Sequence, residues 1–255
     1  MATQPIAEEL GGQMSIWEHL RELRSRLFKC LIAVAIGVVV AWMLYPRIFD
    51  LLVGPLQDNA EGTIEGSLFA LDPLEPFGVR IKIATYTGIM FAMPVLLWQL
   101  WRFISPGLYR NEKKYAVLFV GFGMVLFVMG AAIAFWTLPK ALEFLQAIGG
   151  DGFTEAYSAA KYLRLVVYMM LAFGLGFEFP ILLVFLQLVG LVTTAQLRQF
   201  RRYAIVGIAV VVAVITPSAD PISMLALTIP MVIFYEIAII IGRIRERRLR
   251  LRGAA

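Results

Sequence analysis

Apolar positions along this chain gather in six long runs separated by short polar clusters. A helix needs about 20 mostly apolar residues to cross bilayer hydrocarbon. Leu27–Tyr45, Ile83–Trp101, Tyr115–Leu138 and Leu165–Val192 reach that length, and Tyr115–Leu138 is uncharged throughout. Ile222–Ile241 also qualifies, broken by Pro230 and carrying Glu236. Tyr203–Ile215 is apolar over only 13 residues, about 20 Å of helix. Thr216-Pro217-Ser218-Ala219-Asp220-Pro221 follows and stops that helix, since proline lacks an N–H and restricts the residue before it. The pattern predicts an all-α polytopic membrane protein, one membrane domain over 1–255. Its six spans fall at about 27–45, 83–101, 115–138, 165–192, 203–215 and 222–241, the last two short.

The segment before the first span has a different period. Ser15 and Glu18 are spaced as a capping box, which predicts a helix start. Ile16, Leu20, Leu23 and Leu27 fall on one face and Glu18, Arg21, Glu22 and Arg24 on the other. Residues 15–26 read as an amphipathic helix at the membrane surface. Within it, Glu22 and Arg26 stand at i,i+4, an ion-pair spacing worth a few tenths of a kcal/mol.

Composition agrees with the pattern. The chain is 60% hydrophobic and 16% charged, with a mean hydropathy of +0.78, against about 25% charged residues in soluble domains. One cysteine (Cys30) and one histidine (His19) allow neither an internal disulfide nor a His/Cys metal site. No stretch reads as a cleavable leader. The net charge of +5 would suit nucleic acid if it covered one soluble face, but its distribution argues otherwise. Seventeen of the 23 basic residues lie before or at the start of span one, between spans two and three, between four and five, or after six. The alternate loops carry Asp50, Asp58, Glu61, Glu65, Asp72, Glu75, Glu143, Asp151 and Glu155. The positive-inside rule then places both termini in the cytoplasm, with 243–255 as a basic tail. It also requires an even number of crossings, which supports counting 203–215 as a span over the alternative of a re-entrant loop. The basic charge is an orientation signal and predicts no nucleic-acid partner.

Four polar features need a reason. The loop Trp101–Lys114 opens with aromatics, turns at Pro106-Gly107, and holds Glu112 as its single acid. It reads either as an ordinary basic loop or as an anionic pocket for a cationic ligand, for which arginine is the natural partner. Glu178 lies inside span four, two residues before Pro180. A carboxyl in hydrocarbon is costly and faces a partner, a cavity or another helix. Glu236, nearer the inner end of span six, is expected to reach Arg243 or the interface. Asp220, between two prolines, reads first as turn chemistry.

Five blocks together resemble the TatC family, the polytopic subunit of the twin-arginine protein translocase. They are His19-Leu-Arg-Glu22-Leu-Arg24-Ser-Arg26-Leu27, Gly54-Pro55-Leu56, Phe103-Ile-Ser-Pro-Gly-Leu108-Tyr-Arg-Asn-Glu112, Phe177-Glu178-Phe-Pro180, and Thr216-Pro217 with Asp220. One departure is Asn111, where some relatives carry histidine. The resemblance implies a receptor, not an enzyme, for signal peptides with paired arginines on already folded cargo. It assigns signal-peptide binding to Glu22, Glu112, Phe103, Arg24 and Leu108. It assigns partner docking or translocation to Glu178, Pro55 and Asp220, with no catalytic residue, metal or cofactor. The implied partners are twin-arginine signal peptides, TatA-type and TatB-type single-span proteins, other copies of the chain and the lipid bilayer. The implied location is the bacterial cytoplasmic (inner) membrane, and the energy source the proton-motive force. A small proton-coupled transporter using Glu178 as relay is the alternative, though it leaves the N-terminal block and the Phe103–Glu112 loop unexplained. An intramembrane protease is disfavoured, because the one histidine precedes span one and no buried Ser–His pair is available.

Overall fold

The computed structural model describes residues 16–57, 68–70, 72–104, 114–149, 157–216 and 220–253. In chain order these form α1 (Ile16–Met43), α2 (Tyr45–Gln57), β1 (Leu68–Phe69), α3 (Glu75–Ile104), α4 (Lys114–Gly149), β2 (Tyr157–Ser158), α5 (Ala159–Val189), α6 (Thr194–Gln199), α7 (Arg201–Ile215) and α8 (Pro221–Gly253). α1, α3, α4, α5 and α8 are each long and apolar enough to cross a membrane. The chain is an all-α polytopic membrane protein. α7, at 15 residues, is about 22 Å long, the short fifth segment expected from its apolar run.

Element bounds depart from the apolar runs in instructive ways. α1 joins the amphipathic segment and the first span in one helix, since no proline or polar break intervenes; Ser15 lies outside the described residues. α3 starts at Glu75, eight residues before the apolar run, and includes Arg80 and Lys82, whose long stems let the charge reach water. α4 continues through Pro139 to Gly149. α8 carries its helix through the basic tail to Gly253. α2 was not predicted; it buries Leu52 and Val53 and ends just past Pro55.

α5 is the hub, packing on α3, α4 and α8, while α1 leans on α3 and α7 on α8. Leu163, Val166, Val167, Met169, Phe173 and Phe177 form its buried stripe. They meet Val79 and Ile83 of α3, Ala134 and Leu138 of α4, and Leu227, Met231 and Tyr235 of α8 in one core. α1 crosses α3 backbone to backbone. A Cβ on Gly88 would sit 2.5 Å from the Val38 nitrogen, and one on Gly37 would strike the Gly88 carbonyl. Small residues permit this approach where hydrocarbon supplies no hydrophobic drive.

Antiparallel packing gathers the N-terminus of α1, the C-termini of α3, α5 and α8, and the N-termini of α4 and α7 at one end, here the basic end. Trp101, Phe119 and Phe185 from α3, α4 and α5 pack there with centroids 4.9–5.6 Å apart. α5 stops at Gly190, whose φ of +82° suits glycine. Arg245 from α8 caps the freed carbonyls, donating to Gln187 O at 2.8 Å and Leu188 O at 3.1 Å. Part of the arginine-rich tail is therefore structural. Thr193 and Gln196 form a capping box for α6, and Tyr235 donates to Leu197 O at 2.7 Å. Beneath this corner Gln187 Nε2 donates to Ala238 O at 3.1 Å and Thr194 Oγ1 donates to Gln187 Oε1 at 3.3 Å.

Glu236 corrects one expectation: it pairs with Arg201, not Arg243. The hairpin of α7 and α8 brings the start of α7 beside the penultimate turns of the apolar run, a proximity that local spacing does not reveal.

At the opposite end, β1 and β2 pair in parallel, Leu68 with Tyr157 and Phe69 with Ser158. Glu75 caps α5, accepting from Ser158 Oγ at 2.7 Å and Ala160 N at 2.9 Å. Arg80 lies 4.3 Å over the Trp42 ring and 4.9 Å over Tyr45, fastening the α1–α2 corner.

Candidate functional site

Where α1 leaves the basic end it runs beside the last turns of α3, and two contacts clasp them. The His19 ring stacks on Phe103, centroids 4.5 Å apart and 21° from parallel. Two turns further along α1, Arg26 donates Nη1 to Gln99 Oε1 at 3.4 Å. Phe103 and Gln99 are one turn apart on α3, as His19, Glu22 and Arg26 are on α1, so matched periods set both contacts.

Glu22 sits between the two. Its Oε1 accepts from Arg26 Nε at 3.0 Å and also from Nη2, the i,i+4 pair its spacing predicts. Its other oxygen, Oε2, is buried with no hydrogen-bond partner among the described residues. A buried carboxylate oxygen left open costs about 1–3 kcal/mol or more. It is therefore a strong acceptor for an incoming donor, and a guanidinium fits best. Arg24 is exposed on the same helix, 5.8 Å over the Phe28 ring. Trp17, 81% exposed, and Leu20 and Leu23 leave an apolar strip open beside these charges.

Among the assigned binding residues the fold thus unites Glu22, Arg24 and Phe103 at one end. Glu112 and Leu108 lie outside the described residues. His19 and Gln99 were missed as clasp residues. The signal for His19 was available in its spacing from Glu22, but its contact with Phe103 spans 84 positions.

Glu178 stands apart. Its carboxyl lies against the bare backbone of α4: a Cβ built on Gly123 would be 3.0 Å from Oε2 and 2.8 Å from Leu97 of α3. Both oxygens are buried without a hydrogen-bond partner among the described residues. Because α5 begins before the apolar run, Glu178 is about 28 Å from its start and about 16 Å from its end, a little over one turn past the middle of the helix towards the basic end. Pro180 follows within an unbroken α5.

The other two assigned residues are structural in their contacts. Asp220 is fully buried and accepts from the Ser223 N–H at 2.6 Å, capping α8 as turn chemistry predicts. Pro55 is buried in α2. Among the described residues there is no group of three or more His, Cys, Asp or Glu that would hold a metal.

Residues 18–230 match the family model for the Sec-independent protein translocase protein TatC. The TatC protein of Frankia casuarinae is 43% identical over 251 residues, 95% of this chain and 69% of its own length. That of Helicobacter pylori is 37% identical over 226 residues, 88% of this chain and 87% of its own. Among solved structures, the crystal structure of the twin-arginine translocase receptor TatC in DDM superposes with a TM-score of 0.76 at 38% identity. It covers 88% of this chain and 99% of the solved one.

Proposed function

The chain belongs to the TatC family of Sec-independent protein translocase proteins, and from that premise we propose that it is the receptor that reads paired arginines in signal peptides at its basic end. It is a multi-pass component of a protein translocase, a transport protein and not an enzyme. Family membership favours this reading over a proton-coupled transporter built on Glu178. The observation that carries the proposal is the Glu22 carboxylate: Arg26 fixes one oxygen while the other is buried without a hydrogen-bond partner among the described residues, one turn of α1 from the His19–Phe103 stack.

In this reading Glu22 takes one ligand guanidinium and Glu112, on the α3–α4 connection, takes the second. Phe103, steadied by His19, and Leu108 offer apolar contact beside the pair. Arg24 and the surrounding basic residues repel ligands with surplus positive charge elsewhere. The basic end faces the cytoplasm of a bacterium across its inner membrane, and α7 counts as the fifth of six crossings, its shortness thinning the bilayer locally. Glu178, Pro55 and Asp220 belong to partner docking or translocation, Glu178 as the polar point for TatA-type and TatB-type single-span helices. Copies of the chain assemble together, and the proton-motive force drives transport.

The test is photo-crosslinking of a twin-arginine signal peptide to the membrane-inserted chain. Glu22→Ala and Glu112→Ala should each lower the yield about tenfold to a hundredfold, as expected for a charge-assisted hydrogen bond, with insertion unchanged. Persistent crosslinking in both variants refutes the pocket. Glu178→Ala should leave peptide crosslinking intact and reduce cargo transport or capture of the single-span partners. If peptide crosslinking is lost instead, Glu178 belongs to the primary site.

A further inference from the structure

Six basic residues run against the charge bias of the chain: Arg47, Arg80, Lys82, Lys140, Lys161 and Arg164. Two of them are accounted for by aromatic rings, Arg80 over Trp42 and Tyr45, and Lys140 over Trp136 at 4.6 Å. Three others converge. Lys82 of α3 and Lys161 and Arg164 of α5 line one cleft of about 510 Å³ at the end opposite the candidate receptor site. None of the three makes an ion pair or side-chain hydrogen bond among the described residues. The two carboxylates in the same cleft each have one oxygen engaged, Glu75 Oε1 by Ser158 Oγ and Ala160 N and Asp72 Oδ1 by the Leu74 N–H at 2.7 Å, and the three cations outnumber them.

The depth of these cations identifies what they meet. Lys82 immediately precedes the uncharged run Ile83–Trp101, and Arg164 immediately precedes Leu165–Phe177. Both therefore stand at the level where hydrocarbon gives way to headgroups, the layer that holds the lipid phosphates. A basic pocket between two membrane helices at that level suits an anionic headgroup. We propose that the α3–α5 cleft binds one anionic phospholipid, its phosphate held by Lys82, Lys161 and Arg164. The lipid links the first turns of α5 to α3, which at this end share the Glu75 cap and the β1–β2 pairing.

The full-length protein, purified in detergent, is to be offered phosphatidylglycerol or phosphatidylcholine with matched acyl chains and examined by native mass spectrometry. The parent protein is expected to retain phosphatidylglycerol preferentially. Each neutralised cation should lower that preference roughly fivefold, and the Lys82→Gln/Lys161→Gln/Arg164→Gln variant should bring the two lipids near parity. Lys140→Gln, which removes a cation elsewhere at the same end, should leave the preference unchanged. Should the triple variant fail to fold, Lys82→Gln/Lys161→Gln still reads the effect, as an intermediate preference. Equal retention of the two lipids by the parent overturns the proposal, as does a preference that survives neutralisation. Inorganic phosphate binding as tightly as the lipid would make the cleft a plain anion site and overturn the lipid assignment.

Discussion

Gly88→Val should separate α1 from α3 and cost about 3 kcal/mol of helix–helix stability, the upper range of ordinary overpacking. The reason is what the new side chain would meet. A Cβ on Gly88 falls 2.5 Å from the Val38 nitrogen and 2.7 Å from its Cα, and backbone atoms have no rotamer by which to yield. α1 packs principally on α3, so no other neighbour would hold it in register. The clasp at the basic end depends on that register. His19 would leave Phe103, Arg26 would leave Gln99, and the proposed peptide site would come apart although none of its residues was changed. Thermal unfolding in detergent and the signal-peptide crosslinking yield should fall together. A variant with parental stability and parental crosslinking would show that the crossing is looser than its geometry.

Gly242→Ala is expected to destabilise the α5–α6–α8 corner by about 2–3 kcal/mol. One methyl group is enough, because it would lie 2.5 Å from Thr194 Oγ1 and closer still to Gln187 Oε1. Relieving the clash means rotating Gln187, which gives up its bond to Ala238 O and strands buried polar groups. Gln187→Ala removes the nearer obstacle and frees Thr194 Oγ1, which bonds Gln187, to turn away, so the double variant should cost less than the two single costs combined. Additive losses in chemical unfolding would mean that the clash with Thr194, not Gln187, sets the cost.

The legible part of this fold was whatever repeats along one segment. Uncharged runs such as 115–138 announced their helices, and the i,i+4 spacing of Glu22 and Arg26 announced their ion pair. Helix ends were less legible, because a helix continues past its apolar stretch while its solvated residues tolerate it. α3 includes Arg80 and Lys82 on that account, and α8 carries its arginines to Gly253. Contacts between distant segments were not legible. Glu236 had Arg243 within reach along its own helix, yet meets Arg201 across the α7–α8 hairpin. The five motif blocks named the candidate carboxylates, but nothing local could say that Gln99 and His19 join α1 to α3. Nor did any pattern reveal the backbone crossing of Gly37 and Gly88, since glycine in an apolar run reads only as a weak helix former.

The Arg26–Glu22 pair has a consequence for how such a receptor would let go. Were Glu22 the recognition carboxylate, as proposed, Arg26 would already occupy one of its oxygens, so the resting protein would hold a mimic of half its ligand. An arriving arginine would gain only the difference between a fully and a half-occupied acid, which tempers affinity. A peptide with one arginine would gain too little to stay, whereas two would add a second anchor at Glu112. After delivery, Arg26 would reclaim the carboxylate as the peptide leaves, so turnover would be built into the same turn of helix that is proposed to do the reading.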